Sequence, residues 1–137
     1  MPSSTRSWSR RARVRAARAG AETVEAFAAD GFRAYFAFIA EDPQTVRLIS
    51  RNAGTIRTLF DEPALGAGIA ELTADLDAAV GAGILPDHDT GLMAASMVGA
   101  AVEVGLAMVA REPIDVERAA GFVTSVFVGA FLHLRLQ

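Results

Sequence analysis

Two histidines and two serines are the side chains in this sequence that could most readily do catalysis. His88 lies in the loop sequence DHD and His133 lies near the end of the chain. Neither has a second histidine at helical spacing to close a metal site. Ser96 and Ser125 fall inside predicted helices, with no base spaced to activate them. We therefore predict no catalytic residue, no metal site and no enzymatic activity, with His88 as a polar loop residue.

The residue types that are missing exclude further chemistries. The 137-residue sequence has no cysteine, which excludes disulfides, thiolate nucleophiles and cysteine metal sites and fits a reducing, cytoplasmic location. All 13 basic residues are arginines, so no P-loop lysine or Schiff-base lysine exists. Two GAG stretches do not complete a dinucleotide-binding GxGxxG, because Glu71 and Pro86 occupy the final positions. We predict no cofactor.

Aromatic and thioether side chains are the strongest sign of a binding pocket. Five aromatic residues fall between Phe27 and Phe38, and three methionines lie along the predicted fourth helix. Such side chains suit a cavity that accepts apolar ligands of loose shape, although the same stripes also form ordinary cores. The pocket candidates are Phe32, Tyr35, Phe36, Ile39, Met93 and Met97.

Glu103 is the only charge on the fourth predicted helix before Arg111. A carboxylate in such an apolar setting must find a partner or solvent. Three interpretations follow for Glu103, in order of preference. It pairs with an arginine across a subunit interface, it orients a ligand in the pocket, or it reaches water.

The elements that must position these residues are helices. Apolar residues recur every three or four positions from residue 21 onward, and no stretch alternates as a strand would. The pattern predicts an all-α, antiparallel bundle of about five helices, over residues 21–40, 43–54, 63–81, 89–111 and 115–135. Asp42, Asp87 or Asp89, and Asp115 are the predicted N-caps, and Gly81 and Gly83 the predicted stops.

The last two predicted helices are apolar on nearly all sides, so they must be covered. A membrane span over residues 92–110 is one interpretation, but Glu103 would lie near its middle. We instead predict that both helices pair with the same helices of a second subunit in a four-helix interface, with no membrane span. The interface candidates are Gly99, Val102, Glu103, Leu106, Phe122, Val126, Gly129 and His133.

The first 20 residues differ from the rest in charge. They hold six arginines and no acid, so they carry +6, and the remaining seven arginines and 16 acids carry −9. The apolar stretch of a signal peptide is missing, which argues against secretion, although the composition is similar to that of a transit peptide. We predict a poorly ordered or weakly helical leader over residues 1–20 and a helical domain over residues 21–137.

Three stretches together resemble the C-terminal regulatory domain of TetR-family transcriptional repressors. They are FRAYFAFIAEDPQTVRLISRNAG, LTADLDAAVGAGILPDHDTGLMAASMVGAAVEVGLAMVA and DVERAAGFVTSVFVGAF, within residues 21–137. The resemblance implies a bacterial transcription regulator that forms a homodimer through its last two helices and holds a small apolar effector inside each subunit. The family binds operator DNA through an N-terminal helix-turn-helix, which 20 residues cannot hold and which we expect to be absent from this chain.

A second hypothesis belongs to another class of protein. A small helical interaction protein could associate with membranes through the arginine-rich leader, whose charge alone would attract acidic surfaces. Measurement of the oligomeric state separates the two hypotheses, because the first requires a dimer.

Overall fold

A computed structural model describes Arg13, residues 23–50 and residues 63–136, and these residues form helices and loops without a strand. Five helices follow one another: α1 (Val24–Ala40), α2 (Pro43–Ser50), α3 (Pro63–Gly81), α4 (Thr90–Val109) and α5 (Val116–Arg135). The predicted all-α bundle is confirmed. Apart from Arg13, the predicted leader lies outside the described residues, as does the predicted extension of α2 to residue 54.

Short polar side chains begin four of the helices. Asp42, Asp89 and Asp115 accept hydrogen bonds from the backbone N–H groups three residues later, at 3.3, 3.0 and 3.0 Å. Thr23 does the same for α1, with its Oγ1 3.0 Å from the amide of Ala26. Each cap satisfies a first-turn amide that has no partner within its helix. The predicted caps at Asp42 and Asp115 are confirmed, Asp89 rather than Asp87 caps α4, and the cap at Thr23 was not predicted.

The end of α3 explains why two glycines follow its last apolar residue. Gly83 has a φ of 78°, and its N–H donates to the carbonyl of Val80 at 3.1 Å. The next amide, of Ile84, reaches back to the carbonyl of Ala79 at 2.9 Å. These two bonds form a Schellman motif, in which a left-handed residue closes the helix. The motif turns Leu85 into the core, where it is 3% exposed.

The core is built on the aromatic side of α1, which packs mainly against α5 and also against α4. Phe36 is fully buried, and Phe32 stacks on Phe127 of α5 with ring centroids 5.7 Å apart. From α3, the predicted apolar stripe contributes Leu72 and Leu76, both buried. The buried stripe of α4 consists largely of small or flexible side chains, which lets its neighbours approach closely. Its members are Ala94, Met97, Ala101, Gly105, Met108 and Val109.

Arg47 connects α2 to the end of α4 through two hydrogen bonds. Its Nε donates to the carbonyl of Val109 at 2.7 Å, and its Nη2 donates to Glu112 at 2.9 Å. The last carbonyls of a helix have no partner within it, so this side chain supplies a donor where one is required. A second tie, from Arg33 of α1 to Glu117 of α5 at 3.0 Å, is exposed and contributes little stability.

Of the described helices, α4 alone is long and apolar enough to cross a membrane by length and composition. Its most apolar window has a mean hydropathy of 1.9 and is 33% buried. The core helices of soluble proteins have the same properties, so this is weak evidence for a span. Glu103 is exposed in the middle of the helix.

Replacing Gly83 by alanine tests the end of α3. We expect Gly83→Ala to lower the free energy of unfolding by about 1 kcal/mol, because a side chain disfavours a positive φ. Gly81, two residues earlier, is the last residue of α3 and has open space around it. Gly81→Ala is the matched control and should leave stability unchanged or raise it slightly. Urea unfolding at one protein concentration measures both, and equal effects would contradict the interpretation of Gly83.

Candidate functional site

The candidate catalytic side chains are all engaged in local structure. The Nδ1–H of His88 donates to the carbonyl of Pro86 at 2.7 Å, and the ring lies edge-on to Phe131 with centroids 5.5 Å apart. Ser96 and Ser125 each donate to the carbonyl four residues earlier in their own helix, at 2.9 Å. No cluster of metal-ligating side chains occurs within the described ranges. The second ring nitrogen of His88, Nε2, is buried and has no hydrogen-bond partner among the described residues.

The predicted pocket residues lie in and around the core. Phe32, Phe36 and Met97 are 6%, 0% and 4% exposed. Tyr35, Ile39 and Met93 are partly buried and pack against the same cluster. The ring of Tyr35 meets that of Phe36 edge-on, at 5.7 Å between centroids. All six predicted residues thus belong to the hydrophobic core or pack against it, and Tyr35, Phe36 and Ile39 lie opposite Gly105 of α4.

Gly105 sets the distance between α1 and α4. A Cβ at this position would lie 2.8 Å from Cδ1 of Ile39 and 3.7 Å from the rings of Tyr35 and Phe36. A methyl group there would force Ile39 to shift, and a larger side chain would force the helices apart. Three of the six pocket candidates therefore meet α4 at one glycine that the sequence analysis did not select. Its only sequence signal is a glycine inside an otherwise well-formed helix.

The predicted interface residues lie on the outer sides of α4 and α5. Glu103, Phe122, Val126, Gly129 and His133 are exposed, and Gly99, Val102 and Leu106 are partly exposed. Phe122, Val126, Gly129 and His133 follow one another at spacings of four, three and four, so they form one stripe along α5. We call the outer sides of α4 and α5 the α4/α5 face.

Large apolar side chains are exposed mainly on the α4/α5 face. Leu92, Phe122, Val126 and Leu132 are 68%, 64%, 50% and 54% exposed. Leu136, which follows α5, is also exposed. Leu48 of α2 is the only exposed large apolar side chain elsewhere in the described part of the chain. Exposed apolar side chains gathered on one side of a small domain mark an interaction surface more often than scattered ones do.

Ala107 of α4 and Phe122 of α5 lie beside the same cavity at one end of this face. The cavity lies near the connection between α4 and α5, and Met108 also lines it. The α4 surface that borders Phe122 therefore includes Ala107, which was not among the predicted interface residues.

The comparisons with known proteins identify no family for this chain. The sequence matches no protein-family model and has no significant match among curated proteins or solved structures.

Enlarging Gly105 tests the close approach of α1 and α4. We expect Gly105→Leu to lower the free energy of unfolding by about 1–3 kcal/mol, because the added atoms overpack the contact with Ile39. Gly121, in the second turn of α5, has open space around it. Gly121→Leu is the matched control and should raise the free energy of unfolding by about 0.5–1 kcal/mol, because leucine favours a helix more than glycine does. Similar losses in both variants, measured by thermal unfolding, would contradict a special role for Gly105.

Proposed function

We propose that the helical domain is the sensing and dimerisation domain of a TetR-type transcriptional regulator. The observation that carries the proposal is the α4/α5 face, which places large apolar side chains in solvent on the two helices that the family uses for dimerisation. In such regulators a helix-turn-helix unit contacts operator DNA. The function proposed for this chain is therefore to bind a small apolar effector and a second copy of itself.

A second copy would cover the α4/α5 face by pairing two helices from each subunit. The side chains of such a four-helix contact interdigitate and remove apolar area from water. Gly99 and Gly129 have open space around them in one chain. Alanine would suit both helical positions better by about 0.5–1 kcal/mol. A close approach by a partner helix would require positions without a side chain, whereas no contact within the described part of one chain requires glycine at either position.

Glu103 has a place in this arrangement. It is exposed on the α4/α5 face and forms no ion pair within the described parts of the chain. Of the three interpretations from the sequence, the first places it opposite an arginine of the second subunit. An interfacial carboxylate with such a partner would fix the register of the two subunits rather than supply most of the affinity.

The effector site that we propose lies between α1 and α4, around Phe36 and Met97. Aromatic rings supply large apolar contacts there, and the unbranched methionine side chains can change rotamer to admit a guest. The six candidate residues include no charged group, so a small neutral apolar molecule suits the site.

A charge on the α4/α5 face tests dimerisation. We expect the full chain to have about twice the 14.4 kDa mass of one subunit in solution. Val126→Glu should weaken the dimer by at least about tenfold, because it buries an unpaired carboxylate. Leu48→Glu makes the same type of change at an exposed residue of α2 and should leave the dimer intact. Sedimentation velocity measures both variants, and a monomeric native chain would overturn the proposal.

Methionine methyl groups report on the effector site. With ¹³C-labelled methionine methyl groups and naphthalene as a neutral apolar probe, we expect the signals of Met93 and Met97 to shift in a saturable way. Met108 lines the separate cavity near the start of α5, so it serves as the internal comparison and should respond less than Met93 and Met97. Signals that stay unchanged, or a response confined to Met108, would overturn the proposed location of the effector.

The second candidate function is association with a membrane, which the composition of α4 favours. An amphipathic surface and a basic leader can both bind anionic bilayers. If this is the function, the full chain should float with anionic liposomes, and a chain that starts at Ala21 should bind less. If the regulator proposal is right, both chains should remain with the soluble fraction as dimers.

A further inference from the structure

A cavity of about 470 Å³ opens between the C-terminal half of α4 and the start of α5. Val104, Met108, Ala119 and Phe122 supply apolar walls. Its volume lies within the range of small-molecule sites, about 300–1,000 Å³. This cavity is separate from the proposed effector site, because its lining includes none of the six residues between α1 and α4.

Two arginines lie beside these apolar walls. Arg111 and Arg118 both line the cavity, and their guanidinium groups form no ion pair within the described parts of the chain. Both residues are exposed, so they are free to meet a ligand from solvent. A guanidinium group offers planar, forked donors that match the two oxygens of a carboxylate.

The acids of the same cavity are already engaged. Glu112 accepts a hydrogen bond from Arg47 at 2.9 Å. One carboxylate oxygen of Asp115 accepts from the backbone amide of Arg118 at 3.0 Å and caps α5. Neither acid forms an ion pair with Arg111 or Arg118 in this part of the fold. Arg111 and Arg118 are therefore the charged hydrogen-bond donors of the cavity lining that have no ion-pair partner among the described residues, while Asp115 keeps its negative charge at the start of α5.

We propose that this cavity binds an amphipathic carboxylate, with its carboxylate at Arg111 and Arg118 and its hydrocarbon body against Met108 and Phe122. The ligand class follows from the combination of two free guanidinium groups with apolar walls. A neutral apolar molecule would leave both cations without a partner, and a small polar anion would leave the apolar walls exposed to water.

Octanoate is the probe, and the methionine methyl group of Met108 is the reporter. We expect octanoate to shift the Met108 signal in a saturable way, with little change at Met93 and Met97. Octan-1-ol has the same hydrocarbon chain without the charge, and it should bind at least about tenfold more weakly, because its hydroxyl group cannot form a bidentate ion pair with a guanidinium group.

Arginine substitutions locate the carboxylate. Arg111→Ala and Arg118→Ala should each weaken octanoate binding by about tenfold or more. The backbone amide of Arg118 remains in place, so its cap on α5 is kept. Arg135→Ala is the matched control, because it removes one positive charge at the other end of α5, where Arg135 contacts Ile84. Its affinity for octanoate should equal that of the native chain.

Three outcomes would overturn this inference. One is no shift at Met108 with octanoate at about 10 mM, well above a millimolar Kd. Another is equal binding of octanoate and octan-1-ol, and the third is an equal loss of binding in Arg135→Ala. All the lining residues belong to one chain, but Phe122 also lies on the α4/α5 face and a second copy would cover it, so the titration is repeated with the Val126→Glu variant. Octanoate binding there would support this site whether or not the native chain is a dimer.

Discussion

The close contact between α1 and α4 is the constraint on which the rest of the bundle depends. Because Gly105 has no side chain, Ile39, Tyr35 and Phe36 lie directly against α4. Phe32, also on α1, stacks on Phe127 of α5. One aromatic helix is thus covered on two sides by α4 and α5. The apolar groups that remain on those two helices then face outward.

Because α4 and α5 pack their inner sides against α1, the outer sides of both helices remain uncovered in the described part of the chain. Each of these helices buries one stripe, led by Met97 and Val109 in α4 and by Val123 and Phe131 in α5. Each also carries apolar side chains on its other side, which no described element of the same chain covers. A helix that is apolar on nearly all sides needs more than one neighbour. This is the physical reason to propose a second copy rather than a catalytic function.

Much of the fold could be predicted from the sequence, because helical periodicity and polar caps are local properties. The stripe through Leu72 and Leu76 and the cap at Asp115 depend only on residues a few positions away. The role of Gly105 could not be predicted, because it depends on Ile39, which is distant in sequence. The cavity at Arg111 and Arg118 also depends on the tertiary structure. The sequence alone does not show whether an arginine has an ion-pair partner, because the partner can be distant in sequence. The predicted pocket and interface residues are placed by the structure, and their functions remain predictions.

The hydrogen bonds of Arg47 determine what a fragment without α2 would lose. Its guanidinium group joins α2 to the last carbonyl of α4 and to Glu112 in the following connection. A fragment made of α3, α4 and α5 alone would contain the cavity walls but would leave that carbonyl without its donor. Glu112 would also be released beside Arg111, where its carboxylate could compete with any anion. Removing the short second helix would therefore change the charge around the cavity as well as the end of α4.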